Sequence, residues 1–172
     1  MARVVEVRMV HYDDQPGIVA FLPRGLKDAL FDRVLLDSAN DLVADENDEE
    51  TEFRIHGNIG DVQLAITYHL FEQPDDFMAF CREHYASIDL ALLDVAFGSE
   101  PVGVHLFRQI HDGIDSLREK VFFLTAYPDL VREIIPLAGP GERLFVKPNN
   151  HDHLKDAVLE VVLRKAGLLT AA

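Results

Sequence analysis

Five polar residues stand where apolar runs of this 172-residue chain give out: Asp13, Asp14, Asp94, Thr125 and Lys147. The acid pair follows the stretch from Val4 to Tyr12. Asp94 closes Ile88-Asp89-Leu90-Ala91-Leu92-Leu93-Asp94, Thr125 follows Val121-Phe122-Phe123-Leu124, and Lys147 follows Leu144-Phe145-Val146. Three carboxylates brought to one crevice repel each other and shift toward protonation unless a cation offsets them. Mg²⁺ suits such a site, because it takes one or two carboxylates together with water and phosphate oxygens. A carboxylate beside it can attack phosphorus and form an aspartyl phosphate. A hydroxyl can then donate to one phosphoryl oxygen while an ammonium neutralises another. Singly each residue has a plainer reading: Asp94 as a loop cap, the acid pair as turn chemistry before Pro16, Thr125 as a strand residue, Lys147 as a solvated amine. The set carries the argument.

Those residues reach one place only if the runs before them are strands of one sheet. Val4 to Tyr12 puts Val5, Val7 and Met9 on one face and Glu6 and Arg8 on the other, with its later half buried. Val62 to Phe71 is a second core strand, and the runs ending at Asp94, Thr125 and Lys147 complete five. Helical spacing lies between them: Ile18 to about Leu36, interrupted near Pro23; Pro74 to Tyr85; Val104 to His111; about Asp129 to Leu137; and about Asp152 to Lys165. Residues 98–101 read as a loop. Five alternations of strand and helix make an α/β domain with a parallel sheet covered on both faces. The carboxyl ends of such strands share one edge, and in the flavodoxin-like order 2-1-3-4-5 the order reverses between strands one and three, where ligands bind. Those strands carry Asp13-Asp14 and Asp94.

From Asp37 to Asp61 nine acidic residues face one basic residue, Arg54, so this stretch holds much of the formal charge of −14. It reads as a solvated loop rather than an acidic docking surface. The alternation of Thr51-Glu52-Phe53-Arg54-Ile55 places a short extra strand or hairpin inside it. The whole of 1–172 reads as a single domain with an insertion over about 33–61. The acidic balance disfavours direct nucleic-acid binding, which needs clustered basic residues. A lone cysteine, Cys81, excludes an internal disulfide, and no apolar stretch reaches membrane-spanning length or follows a signal-peptide pattern. A cytoplasmic protein with no membrane segment is expected. Cys81, Phe77, Phe80 and Phe107 read as core. His151-Asp152-His153 reads as a helix start with Asp152 as N-cap rather than as a metal site.

The segments Tyr12-Asp13-Asp14-Gln15-Pro16, Leu92-Leu93-Asp94-Val95, Phe123-Leu124-Thr125-Ala126 and Phe145-Val146-Lys147-Pro148 together resemble response regulator receiver domains. The resemblance covers most of the chain outside about residues 33 to 61. It implies a flavodoxin-like (βα)5 sandwich in which Asp94 accepts a phosphoryl group. Asp14 would bind Mg²⁺ directly, Asp13 largely through water, and the Ala96 carbonyl would complete the metal shell. Thr125 and Lys147 would hold the phosphoryl group, with Ala126 small enough to admit it. The implied donor is a histidine kinase or histidine phosphotransfer protein. The output is a change in protein contacts at the face formed by the fourth helix, fifth strand and fifth helix, with a downstream protein target and a homodimer both left open. Such a protein is a signalling phosphoacceptor, not a turnover enzyme.

Departures from the family pattern are as informative. Leu144 stands where the family keeps an aromatic switch residue, three before the lysine, so aromatic rotamer exchange cannot carry the signal. Phe97-Gly98 replaces the common Met-Pro pair, Gly103 sits one residue late, and Glu6, Arg8 and His11 make the first strand polar for a central one. No output domain is expected after the fifth helix. The alternative reading is a receiver-like interaction module that works without phosphorylation. A phosphohydrolase is weaker because Asp94-Val95-Ala96 has no second acid two residues on, and dinucleotide binding is weaker still without a glycine-rich loop after the first strand.

Overall fold

The computed structural model describes residues 3–14, 22, 25–26, 28, 43–46, 52–95, 102–126, 143–147 and 151–169, side chains at 43–46 and 151 excepted. In chain order these form β1 (Arg3–Tyr12), β2 (Val43–Glu46), β3 (Glu52–Ile59), β4 (Val62–Phe71), α1 (Pro74–His84) and β5 (Leu90–Asp94). Then come α2 (Val102–Gly113), α3 (Asp115–Arg118), β6 (Val121–Thr125), β7 (Leu144–Val146) and α4 (His151–Lys165). Leu22, Gly25, Leu26 and Asp28 are also helical. The helix expected over 129–137, the loop over 98–101, Pro23 and most of the acidic stretch lie outside the described residues.

One sheet has the order β2-β3-β4-β1-β5-β6-β7. Its parallel part, β4-β1-β5-β6-β7, is the 2-1-3-4-5 order expected from the alternation of strands and helices. Beyond β4 the sheet continues through two antiparallel strands, β3 and then β2. The alternating residues from Glu52 to Ile55 therefore belong to a strand of eight residues. A two-residue turn, Gly60-Asp61, returns it to β4, pairing Ile59 with Val62. Gly60 sits at φ 58°, the left-handed value that hairpin turns of this length require and that glycine takes without strain.

Register also explains the polar start of β1. Ten residues of β1 pair with β4, from Arg3 opposite Val62 to Tyr12 opposite Phe71, whereas β5 pairs only with Met9 to Tyr12. The first half of β1 thus has a free edge, where Glu6 is exposed. Arg8 is anchored there: its N–H donates to Asp89 Oδ2 at 2.9 Å, its carbonyl accepts from the Asp89 N–H at 2.9 Å, and its guanidinium donates to Ser87 Oγ at 2.6 Å.

Two apolar layers sandwich the sheet. On one face Val5, Val7, Met9, Ile66 and Leu92 pack with Leu22, Leu26 and the α4 residues Leu154, Val158 and Val162. On the other Val10, Ala91, Leu93 and Phe123 pack with Phe77 and Cys81 of α1 and Phe107 and Ile110 of α2. Burial pushes the Cys81 thiol up to about 12, so it is inert core at neutral pH. No helix among the described residues is long and apolar enough to cross a membrane.

Three details differ from the sequence reading. The one-turn helix α3 was not foreseen; four residues give too short a pattern for periodicity to register. Asp152 is not the N-cap of α4 but lies within its first turn, where its carboxylate pairs with Lys155 Nζ at 3.1 Å one turn on. Phe80 is at the edge of the core rather than inside it: half-buried, it packs against the layer that holds Phe77 and Cys81 and lies tilted against His69 and His84.

Candidate functional site

Each chemical residue sits at the last rung of a backbone ladder. The Asp13 N–H donates to the Phe71 carbonyl at 3.1 Å, extending the pairing of β1 with β4 by one residue. The Val95 N–H donates to the Leu124 carbonyl at 3.0 Å, fixing the exit of β5 beside β6. The Lys147 N–H donates to the Thr125 carbonyl at 2.8 Å, tying the end of β7 to the end of β6. Parallel pairing thus delivers Asp13, Asp14, Asp94, Thr125 and Lys147 to the same edge, with β1 and β5 as neighbours where the strand order reverses.

The structure brings together the three acids. Asp13, Asp14 and Asp94 each offer a carboxylate oxygen, and these lie within 4.8 Å of one another. Asp13 is wholly buried, Asp94 is buried and Asp14 is exposed, so the group opens to solvent on the Asp14 side. Lys147 Nζ lies 3.1 Å from Asp13 Oδ2 and 3.1 Å from Asp94 Oδ2, spanning two of the acids. Thr125 is wholly buried, and its hydroxyl donates to the Val95 carbonyl at 3.1 Å, just past the end of β5. Ala126 follows it, exposed. Ala96 lies outside the described residues.

Electrostatics match the crowding. Burial lifts the Asp94 carboxyl to about 6; the Asp13 charge pushes the same way, Lys147 opposes both, and Asp14 adds a smaller push. Even with an ammonium in contact, the Asp94 carboxyl stays above its ordinary range. A donor set made only of carboxylate oxygens fits a hard divalent cation such as Mg²⁺.

Sequence reasoning missed three neighbours of this site. His11, wholly buried, shares a hydrogen bond through Nδ1 with the Tyr68 hydroxyl, and its Nε2 has no hydrogen-bond partner among the described residues. Burial, then the Lys147 charge, drops its imidazole to about 3, so it is neutral. Tyr12 lies beside the acids; burial and then Asp14, Asp94 and Asp13 raise its phenol above the ordinary value. The third is Gly103, near the start of α2. A Cβ there would meet the Asp94 carbonyl oxygen at 2.3 Å and its carbon at 3.0 Å, both backbone atoms. Gly103 lets α2 press directly on the Asp94 peptide. Gly103→Ala is expected to cost about 2 kcal/mol or more in urea unfolding, since backbone cannot yield as a side chain does. Two signals were legible beforehand without their contacts: the histidine as a polar residue in a strand half that had to be buried, and Gly103 as a glycine displaced by one residue.

No protein-family model matches the chain, and no curated protein matches it significantly. Solved structures do. A response regulator receiver domain protein from Clostridium thermocellum is 16% identical, with a TM-score of 0.57 over 95% of this chain and 99% of that one. A response regulator receiver domain from Rhodospirillum rubrum is 12% identical, with a TM-score of 0.50 over 96% of each chain. Likeness at such identities is one of architecture: the chain has the fold of response regulator receiver domains.

Proposed function

We propose that this chain is a phosphoacceptor of a two-component or phosphorelay signalling system, taking a phosphoryl group on Asp94 with Mg²⁺ and switching its protein contacts in response. The observation that carries the reading is the convergence of Asp13, Asp14 and Asp94, with Lys147 spanning the two buried acids, at the edge of a receiver-type sheet.

Asp13, Asp14 and Asp94 would hold the ion, together with the Ala96 carbonyl that the family resemblance implies. Bound there, Mg²⁺ supplies positive charge to the phosphoryl oxygens. The remaining work falls to the chain. A carboxyl at about 6 is mostly ionised at pH 7, so Asp94 is available as a nucleophile. Its free oxygen bonds to phosphorus as the phosphorus–nitrogen bond of a donor phosphohistidine breaks, the electron pair leaving with the imidazole. Lys147 keeps Asp13 and exchanges Asp94 for a phosphoryl oxygen. Thr125 exchanges the Val95 carbonyl for another, which pulls the ends of β5 and β6 into a new arrangement. Attack of water on phosphorus later restores the carboxylate.

The donor is then a histidine kinase or histidine phosphotransfer protein, in the cytoplasm, and the net acidic chain does not bind nucleic acid directly. Leu144, half-buried against the α1–α2 layer, favours a second reading in which the fold serves as an interaction module without phosphorylation. Incubation with radiolabelled phosphoramidate separates the two. Mg²⁺-dependent, base-labile label is expected, and label that ignores Mg²⁺ or never forms speaks for the interaction module.

A further inference from the structure

The two extra strands do more than widen the sheet. Glu52, at the start of β3, forms one wall of a cavity of about 530 Å³ whose other walls come from the end of β4 and the first turns of α1. Its floor is aromatic. His69 and Phe80 have ring centroids 4.7 Å apart, and Phe71 and Phe80 5.2 Å apart; the three rings pack on one another, and each is half-buried and lines the cavity. Its rim is acidic. Glu72 and Asp76 are exposed and form no ion pair among the described residues. Glu52 is held in place, with Oε1 bound by Arg54 and Oε2 3.5 Å from His69 Nδ1. Burial lowers the His69 imidazole from its ordinary value, against an opposing pull from Glu52, so at neutral pH the ring presents a face rather than a charge.

Partly exposed aromatic rings below unpaired carboxylates attract a cation twice over, through the ring quadrupole and through Coulomb attraction. Planarity favours arginine over lysine, since a guanidinium stacks on a ring while its edge forks onto a carboxylate. The volume exceeds what one guanidinium needs, leaving room for residues on both sides of it. We infer that this cavity is a docking pocket for an arginine side chain on an exposed segment of a protein partner. It is built jointly by β3 and α1, independently of whether Asp94 is phosphorylated.

The test is a titration of the 172-residue chain, followed by NMR of its aromatic and amide signals, with acetyl-Gly-Arg-Gly-amide. Two analogues accompany it, one carrying lysine and one carrying citrulline, which keeps the shape of arginine without the charge. Expected are saturable shifts of His69, Phe80 and Glu72 with the arginine peptide, at least about fivefold weaker binding of lysine, and no binding of citrulline. Glu72→Gln with Asp76→Asn, both at exposed positions that leave the fold intact, should weaken the arginine peptide about tenfold. Equal binding of citrulline, shifts confined to the surroundings of Asp13, Asp14 and Asp94, or affinity unchanged in the double variant would each overturn the proposal.

Discussion

Replacing Lys147 with methionine is expected to destabilise the Mg²⁺-free protein by about 3 kcal/mol and to slow phosphoryl incorporation roughly a hundredfold. The ammonium lies 3.1 Å from a carboxylate oxygen of Asp13, which is wholly buried, and 3.1 Å from one of Asp94. Methionine keeps much of the apolar stem but leaves both acids facing each other, and removing one partner of a buried pair costs more than the pair itself contributes. The two losses should separate on adding Mg²⁺. A divalent cation held by the acids offsets their repulsion and restores much of the stability. It does not restore the group that neutralises the developing phosphoryl charge. Urea unfolding and labelling kinetics, each with and without Mg²⁺, measure both. Full recovery of the rate by Mg²⁺ would reduce Lys147 to a structural counterion.

Asp94→Asn should have the opposite effect on stability. The Asp94 carboxyl stands at about 6 in the folded chain against an ordinary 3.8. A raised carboxyl means that the native state holds a proton that the unfolded chain has released. The stability from this group is therefore complete below about pH 4 and is lost as pH rises through about 6. At about 1.4 kcal/mol per pH unit, ionising Asp94 costs the fold roughly 3 kcal/mol by pH 7. Asparagine avoids that cost, which is already net of the pull of Lys147, so a gain of roughly 3 kcal/mol is expected at pH 7 without Mg²⁺. At pH 4 the gain should vanish. Saturating Mg²⁺ should stabilise the wild-type chain more than the variant, because the variant lacks one of the three donors. Equal stability of the two chains at both pH values would mean that the acids at this edge are not in conflict, and the case for a cation would fall with it.

Much of this was legible in the residues. The apolar run of β5 and the period of Val62–Phe71 located core strands, and the polar residue ending each strand located the site, because parallel strands share an edge. Less legible was whatever depends on contacts distant in sequence. Gly57 and Asn58 read as loop yet pair within β3, since the neighbouring strand β4 decides their conformation. Glu6 and Arg8 contradict a central strand until register shows that β5 stops short of them. His11 needed Tyr68, which lies 57 residues away, before its burial made sense. Gly103 stood out only as a glycine one residue late in the family pattern; the approach of α2 to the Asp94 peptide explains it. Phe80 shows the reverse error, an apolar residue at helical spacing that lines an open cavity with polar walls.

The central claim is that Asp94 is a phosphoacceptor, and intact-mass spectrometry after incubation with acetyl phosphate and Mg²⁺ tests it most directly. The wild-type chain should gain the mass of one phosphoryl group, lose it again on mild base treatment or on standing, and gain nothing without Mg²⁺, while Asp94→Asn should gain nothing under any condition. A wild-type chain that stays unmodified, or an adduct that forms equally on Asp94→Asn, would contradict the account.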